Sequence, residues 1–544
     1  MPRIASRLLV AIALFAALDA SIAQMAPELP ALPGPTALPS FGELEAMGAI
    51  IGRVLVNPQD IFDLDDPHEN KPLFRLANRL HVQTRPETIR RQLLFQPGER
   101  VSARIIDETE RLLRGNRYLQ DVSIRPVDYR DGVVDIEVKT RDTWTLDPGI
   151  SVARSGGANS QRTYLNEHNL LGSGMSLGVS HSANVERAGN EVSFANRHLF
   201  GTHAALSASY ANLTDGTQWS FGLARPFYAL DTRYAAGMSA SYSDAVNKVY
   251  EQGVVTSQYR ALTRNWEAFG GWSAGRVNGW SARYSAGASY ASTLYQNDAT
   301  LPSASVPADR TLAGPFIRYE LIEDFYEKAV NREQIGRPEY FAMGFRSQLQ
   351  LGRTTKSMGS TEESWLYSAE ASKGFGSIYS QALLLRGGFS GRMDEATRQN
   401  QLLSAAARYY WPQGSKALFS AALSGDVYRH PDLPAPLQLG GDNGLRGYPL
   451  NYQSGERRAL LSLEERVYTD WYPYRLYRIG GALFADVGRA WHGAGEVTAG
   501  ERSLSDAGFG LRVADSRSAF GNVLHIDLAF PLNARDQVKS VQFL

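Results

Sequence analysis

The chain has 544 residues, no cysteine, and Lys+Arg balanced against Asp+Glu at 56 each. That balance argues against a basic nucleic-acid surface, and the missing thiols exclude a disulfide scaffold and a thiolate metal site. Fifty glycines, 26 tyrosines and 9 tryptophans, with charge spread thinly, fit an exported β protein, either soluble or a membrane barrel.

The first element is a leader. Arg3 and Arg7 make a positive start, Leu8 to Leu18 a short apolar run, and Ser21-Ile22-Ala23 a small-residue cleavage site, so residues 1–23 read as a secretory signal peptide. The run is too short to span a bilayer, and no later stretch approaches the roughly 20 apolar residues a membrane helix needs. Residues 24–49 begin with the Pro-rich "QMAPELPALPGPTALPS", an extended lead. "FGELEAMGAIIGRVLV" follows, either a short amphipathic helix or a helix running into a strand near Arg53–Val56.

Residues 50–146 read as a small α+β domain. "RPETIRRQLLF" carries Ile89, Leu93 and Leu94 at helical spacing, with Thr84 as N-cap and Pro86 in the first turn. "SARIIDETERLLRGNRYL" is a second helix, capped by Ser102 and stopped by Gly115-Asn116. Two alternating strands come next, "DVSIRPVDY" and "GVVDIEVKT", turned by Arg130-Asp131-Gly132, with Val122, Ile124, Val134, Ile136 and Val138 on the buried face. This order, with a strand before it and "LLRGNRYLQDVSI" leading into the paired strands, resembles a single polypeptide-transport-associated (POTRA) domain. Any other small exported α+β module is the competing reading.

From 147 to 544 the helical signal disappears. Segments of roughly 10 residues alternate with period 2 between Gly-rich or polar turns. In "KALFSAALSGDVY", Phe419, Ala421, Leu423 and Val427 oppose Ser420, Ser424 and Asp426; in "NVLHIDLAF", Leu524, Ile526, Leu528 and Phe530 oppose His525 and Asp527. "DAGFGLRV" sets Phe509, Leu511 and Val513 against Asp506 and Arg512. About 400 residues of soluble sandwich would split into domains. An all-β transmembrane barrel, apolar outside and polar within, explains the whole run.

Late in that run stands "PLQLGGDNGLRGYPL". Gly440, Gly441 and Gly447 let the backbone bend, yet Leu445, Arg446 and Tyr448 give the loop an apolar and charged tip. Alternation in "RIGGALFADVGRAW" turns Phe484, Asp486 and Gly488 toward the lumen, and Glu464 and Arg466 point the same way. A loop folding back into the barrel would bring Arg446 to Asp486 for a bidentate pair, helped by Glu464.

"LRGY" in a Gly-rich loop, with "FADVG" two strands later, resembles the paired signature of the BamA/TamA/FhaC superfamily of outer-membrane insertases and translocators. "EHNLLGSG" (167–174) is similar to the family's early barrel segment. The resemblance implies a Gram-negative outer membrane, about sixteen antiparallel strands, a periplasmic POTRA-like domain, and the loop arginine paired with the aspartate of the F-x-D-x-G strand. Roughly twenty alternating segments can nevertheless be counted, only one POTRA-like unit fits, and "KSVQFL" makes a short last strand.

Two other functions compete. "GMSLG" and "GWSAG" match G-x-S-x-G, but neither precedes a helix, as a nucleophile elbow requires. No catalytic residue, metal ligand or cofactor is therefore expected. A passive outer-membrane pore would suit the barrel pattern but needs neither an α+β domain nor an anchored loop. The reading is a barrel that inserts or translocates an unfolded periplasmic polypeptide client, in contact with outer-membrane lipid and not with nucleic acid. Client identity and oligomeric state are not legible in the residues.

Overall fold

The computed structural model describes residues 38–544 apart from 156–157, 252, 305, 395–396, 433–436, 493–501, 518–522 and 535–537. The expected signal peptide and nearly all of the Pro-rich lead lie outside the described residues. The described chain opens on helix α1 (Phe41–Ala46), closed at its start by a capping box between Ser40 and Glu43. It runs into β1 (Ile50–Gln59), which decides the alternative left open for this stretch.

The small domain continues with α2 (Pro72–Leu80), α3 (Pro86–Arg90), α4 (Ala103–Arg114), β2 (Leu119–Arg130) and β3 (Val133–Asp142). Its sheet has the order β1-β3-β2, with β1 parallel to β3 and β2 antiparallel to it. Asp131 and Gly132 both take positive φ, 51° and 78°, as a two-residue hairpin turn of matching twist demands. Val122, Ile124, Val134, Ile136 and Val138 form the inner face of the sheet, packed with Ile89, Ile106 and Leu113 of the helices.

Several local expectations change. The helix carrying Ile89 ends at Arg90, so Leu93 and Leu94 lie beyond it. Thr84 is not its cap: the Thr84 N–H and hydroxyl both donate to Asp142, at 2.7 and 2.9 Å, because a buried carboxylate at the end of β3 needs donors more than the helix end does. Ser102 is the N-cap of α4 but makes no side-chain cap bond; the Glu45 carboxylate accepts from the Ala103 N–H at 3.0 Å instead. Helix α2 has no counterpart among the sequence expectations, and it is fixed by Phe74 stacking on Phe62 at 4.1 Å.

Beyond it, among the described residues, twenty strands from Leu146–Ser155 to Gln542–Phe543 make one antiparallel sheet whose neighbour order runs round a barrel, the last strand adjoining the first. The expectation of about sixteen is corrected. The alternating runs pair with their neighbours in a continuous ladder, so those the resemblance would spare for loops are wall strands. The last strand is short: it has two residues, which pair with the strand before it at Leu528↔Phe543 and Ala529↔Gln542.

The sidedness is inverted relative to a soluble core. Along the Tyr477–Trp491 strand, Leu483 is 50% and Val487 47% exposed, whereas Phe484 is 5% and Asp486 2% exposed. Asp506, Arg512 and Asp527 are likewise buried while Phe509, Leu511 and Leu524 face out. Two small strand pairs sit in the connections: Leu437–Leu439 with Gln453–Gly455, and Tyr326–Val330 with Pro338–Ala342.

The small domain seats on the strand turns at one barrel end. The Gly172 carbonyl accepts from the Arg85 N–H at 3.0 Å, and Asn169 donates to the Thr84 hydroxyl at 2.8 Å. The "EHNLLGSG" turn is thus a docking ledge. A Cβ on Gly172 would come within 2.4 Å of the Gln83 carbonyl, so only glycine permits the approach.

Candidate functional site: a loop anchored in the barrel

The loop holding "LRGY" connects two adjacent wall strands, Ala417–Arg429 and Arg457–Tyr468. It turns inward at Gly440, where φ is +126° and a Cβ would lie 2.2 Å from the Pro449 carbonyl. At Gly444 a Cβ would strike the Leu460 side chain at 2.2 Å. Leu445 then holds a left-handed conformation, φ 63°, uncommon for a leucine. Its side chain is fully buried with Leu439, Tyr448, Ala490 and Leu504, and that burial offsets the strain. The loop tip is therefore tightly constrained.

Each residue of the two motifs has a distinct contact. Arg446 grips Asp486 bidentately, Nε to Oδ2 at 2.8 Å and Nη2 to Oδ1 at 3.0 Å. Its guanidinium carbon stands 3.4 Å from the centre of the Phe484 ring. Gly488 leaves the space in which Leu439 and Leu460 pack: a Cβ there would be 3.1 Å from each. The Gly447 N–H donates to Asp506 at 3.0 Å, and a Cβ on Gly447 would press on Asp506 at 2.6 Å. The buried Tyr448 hydroxyl lies 2.9 Å from the Ser505 carbonyl and 3.0 Å from that of Asn533. Gly441 donates to the Leu445 and Tyr448 carbonyls and closes the turn.

Glu464 helps Arg446 through its charge and not through a hydrogen bond or contact ion pair. It accepts from Arg466 at 3.0 Å and from Arg512, so its oxygens are already engaged. The further partners of Arg446 are Asp527, at 3.2 Å, and the Ser462 hydroxyl, at 3.3 Å. Arg512 pairs with both Glu464 and Asp527. Asp527, Asp506 and Arg512 stand on polar strand faces that alternation identifies. Which of them lie level with the loop depends on the stagger between strands, and no single strand's pattern contains that.

The two G-x-S-x-G serines lie elsewhere. Ser176 is in the Met175–Ala183 strand, and Ser273, in the Val254–Val277 strand, donates its hydroxyl to the Ala282 carbonyl at 2.7 Å.

In fold, the chain resembles CdiB and BamA. The solved structure of CdiB from Acinetobacter baumannii shares 14% identity, covering 91% of this chain and 73% of that one, with a TM-score of 0.45. CdiB from Escherichia coli shares 13%, covering 91% and 75%, at 0.47. The crystal structure of BamA from Haemophilus ducreyi lacking POTRA domains 1–3 shares 14%, covering 90% and 84%, at 0.35. No family model and no curated protein matches the sequence.

Proposed function

We propose that this chain is an outer-membrane barrel of the BamA/TamA/FhaC type, which takes up an unfolded polypeptide on a periplasmic POTRA-like domain and inserts or translocates it. The observation that carries the reading is the Arg446 loop, bound to Asp486 and stacked on Phe484 inside the barrel. The apolar outer and polar inner faces suit lipid outside and a hydrated bore within. A passive pore needs an open bore, and here a folded loop occupies it.

β2 is an edge strand of the small domain, and its outward backbone groups can pair with any extended segment, since such pairing needs no particular sequence. Uptake and passage then proceed by hydrogen bonding and release, with no cofactor or covalent intermediate, and neither Ser176 nor Ser273 has a catalytic role. The test is a photo-crosslinking residue at the exposed Ser123 of β2 in the full-length protein. Crosslinks to nascent exported polypeptides are expected. Their absence, alongside steady porin-like conductance, would favour the passive pore.

A further inference from the structure

Residues 324–345 join the wall strands Arg310–Glu323 and Arg346–Arg353 at the barrel end that faces the small domain. Twenty-two residues are far more than a strand turn needs. They form a hairpin of their own, Tyr326–Val330 with Pro338–Ala342, and it does not hang free. Its tip reaches across the barrel mouth. Ile335 and Ala329 are buried with Ile378, Tyr410, Tyr468 and Ala514, which belong to four other parts of the wall. The turn at Ile378 is clasped from both sides: its N–H donates to Glu327 at 2.6 Å, and its carbonyl accepts from Arg332 at 2.6 and 3.0 Å. Glu333 pairs with Arg408 at 2.8 Å.

The hairpin touches both the small domain and the lumen loop's network. Toward the small domain, Lys328 pairs with Glu110 of α4 at 2.9 Å, and Arg111 of α4 stacks over Tyr326 at 3.7 Å. Toward the lumen, Arg466 donates to the Arg332 carbonyl at 2.7 Å. Arg466 is held by Glu464, Glu464 by Arg512, Arg512 by Asp527, and Asp527 by Arg446 of the loop. One unbroken run of polar contacts, ion pairs beyond the Arg332 carbonyl, thus joins the hairpin to the loop. A cavity of about 820 Å³ lies between them, lined by Tyr340 and Phe341 of the hairpin and by Asn443 and Gly444 of the loop.

We propose that residues 324–345 are a plug closing the small-domain end of the bore, latched to α4, so that displacement of α4 releases it. The physical basis is an asymmetry of attachment. The wall contacts combine a buried apolar cluster with the bonds of Glu327 and Arg332 to Ile378 and the Glu333–Arg408 pair, whereas α4 is held by polar contacts alone: Lys328 and the Tyr340 hydroxyl on Glu110, and Arg111 over Tyr326. A partly exposed ion pair such as Lys328–Glu110 is weak and easily exchanged. A client engaging the small domain would need to break only the weaker set. This use of the plug rests on the polypeptide-handling function proposed above; the closure itself does not.

Because the chain has no cysteine, Ile335→Cys supplies a single buried thiol at the plug tip. In the full-length protein in liposomes, a bulky membrane-impermeant maleimide should label it slowly. Lys328→Glu, which sets two carboxylates together, should raise the rate about tenfold, and adding Glu110→Lys should lower it again. In planar bilayers, replacing 326–342 by a short Gly-Ser turn should raise steady conductance severalfold over the parent. Equal labelling rates in all three thiol variants would overturn the latch. A heat-modifiable deletion barrel with parental conductance would overturn the plug. Neither readout uses a client, so both can succeed where crosslinking at Ser123 fails, and the reverse.

Discussion

Arg446→Ala removes the guanidinium and leaves its acceptors behind. Asp527 keeps Arg512, and Asp486 keeps the Ser462 hydroxyl, at 2.5 Å, and the side chain of its cross-strand neighbour Asp506. Stranding one partner of a buried ion pair costs about 3–5 kcal/mol, and the Arg446 side chain is 17% exposed, which favours the lower end. Loss of the contact with Phe484 adds about 0.5–1 kcal/mol. Since each 1.4 kcal/mol is a factor of ten, the loop's opening constant should rise by about 10²–10³. The wall ladder between Arg457–Tyr468 and Tyr477–Trp491 does not use this side chain, so the barrel should remain heat-modifiable. Native-state hydrogen exchange at Gly447 reads the effect, because its amide donates to Asp506 of the wall, whereas the Gly441 and Tyr448 amides bond to carbonyls within the loop and report on its own fold. Arg446→Lys, which keeps the charge but not the fork, should fall between the two. Exchange within about threefold of the parent in the alanine variant would refute the anchoring argument.

Exchanging the charges, Arg446→Asp with Asp486→Arg, should restore only part of the loop's protection, because the new carboxylate faces Asp527; protease resistance of the loop measures this. Gly444→Ala should unseat the loop despite adding a single methyl, since that methyl meets Leu460 at 2.2 Å with φ at +94°, and the same assay applies. Thr84→Val should loosen the small domain from the barrel by about 1–3 kcal/mol, because Asp142 and Asn169 both lose a buried partner; faster proteolytic release of residues 38–146 is the readout. Burial pushes the Glu110 carboxyl up, but its bonds to Lys328 and Arg114 outweigh this and hold its pKa below the ordinary value. The α4–hairpin contact should therefore be unchanged from neutral pH down to the ordinary carboxylate range and weaken only as pH falls through the lowered value, seen as faster intrinsic-rate-corrected exchange of hairpin amides.

What the residues alone determined was local and periodic. Alternation in "RIGGALFADVGRAW" is enough to send Phe484 and Asp486 inward and Leu483 and Val487 outward, because a strand's side chains switch faces at every residue. Glycines 440, 441 and 444 mark where the backbone bends, because glycine takes positive φ with no Cβ penalty. The Asp131-Gly132 turn is legible for the same reason. What only the tertiary structure decided was adjacency across the ring. Asp527 and Asp486 are 41 positions apart and on strands that are not neighbours, and both reach Arg446 because the wall curves around a loop from elsewhere. Glu464, an inward-facing carboxylate by the same alternation, is already claimed by Arg512 and Arg466, and periodicity cannot rank competing partners. Residues 324–345 carry no motif that sets them apart from a long turn between strands. The burial of this hairpin comes from wall residues as far along the chain as Ala514, and such contacts exist only once the barrel has curved them together.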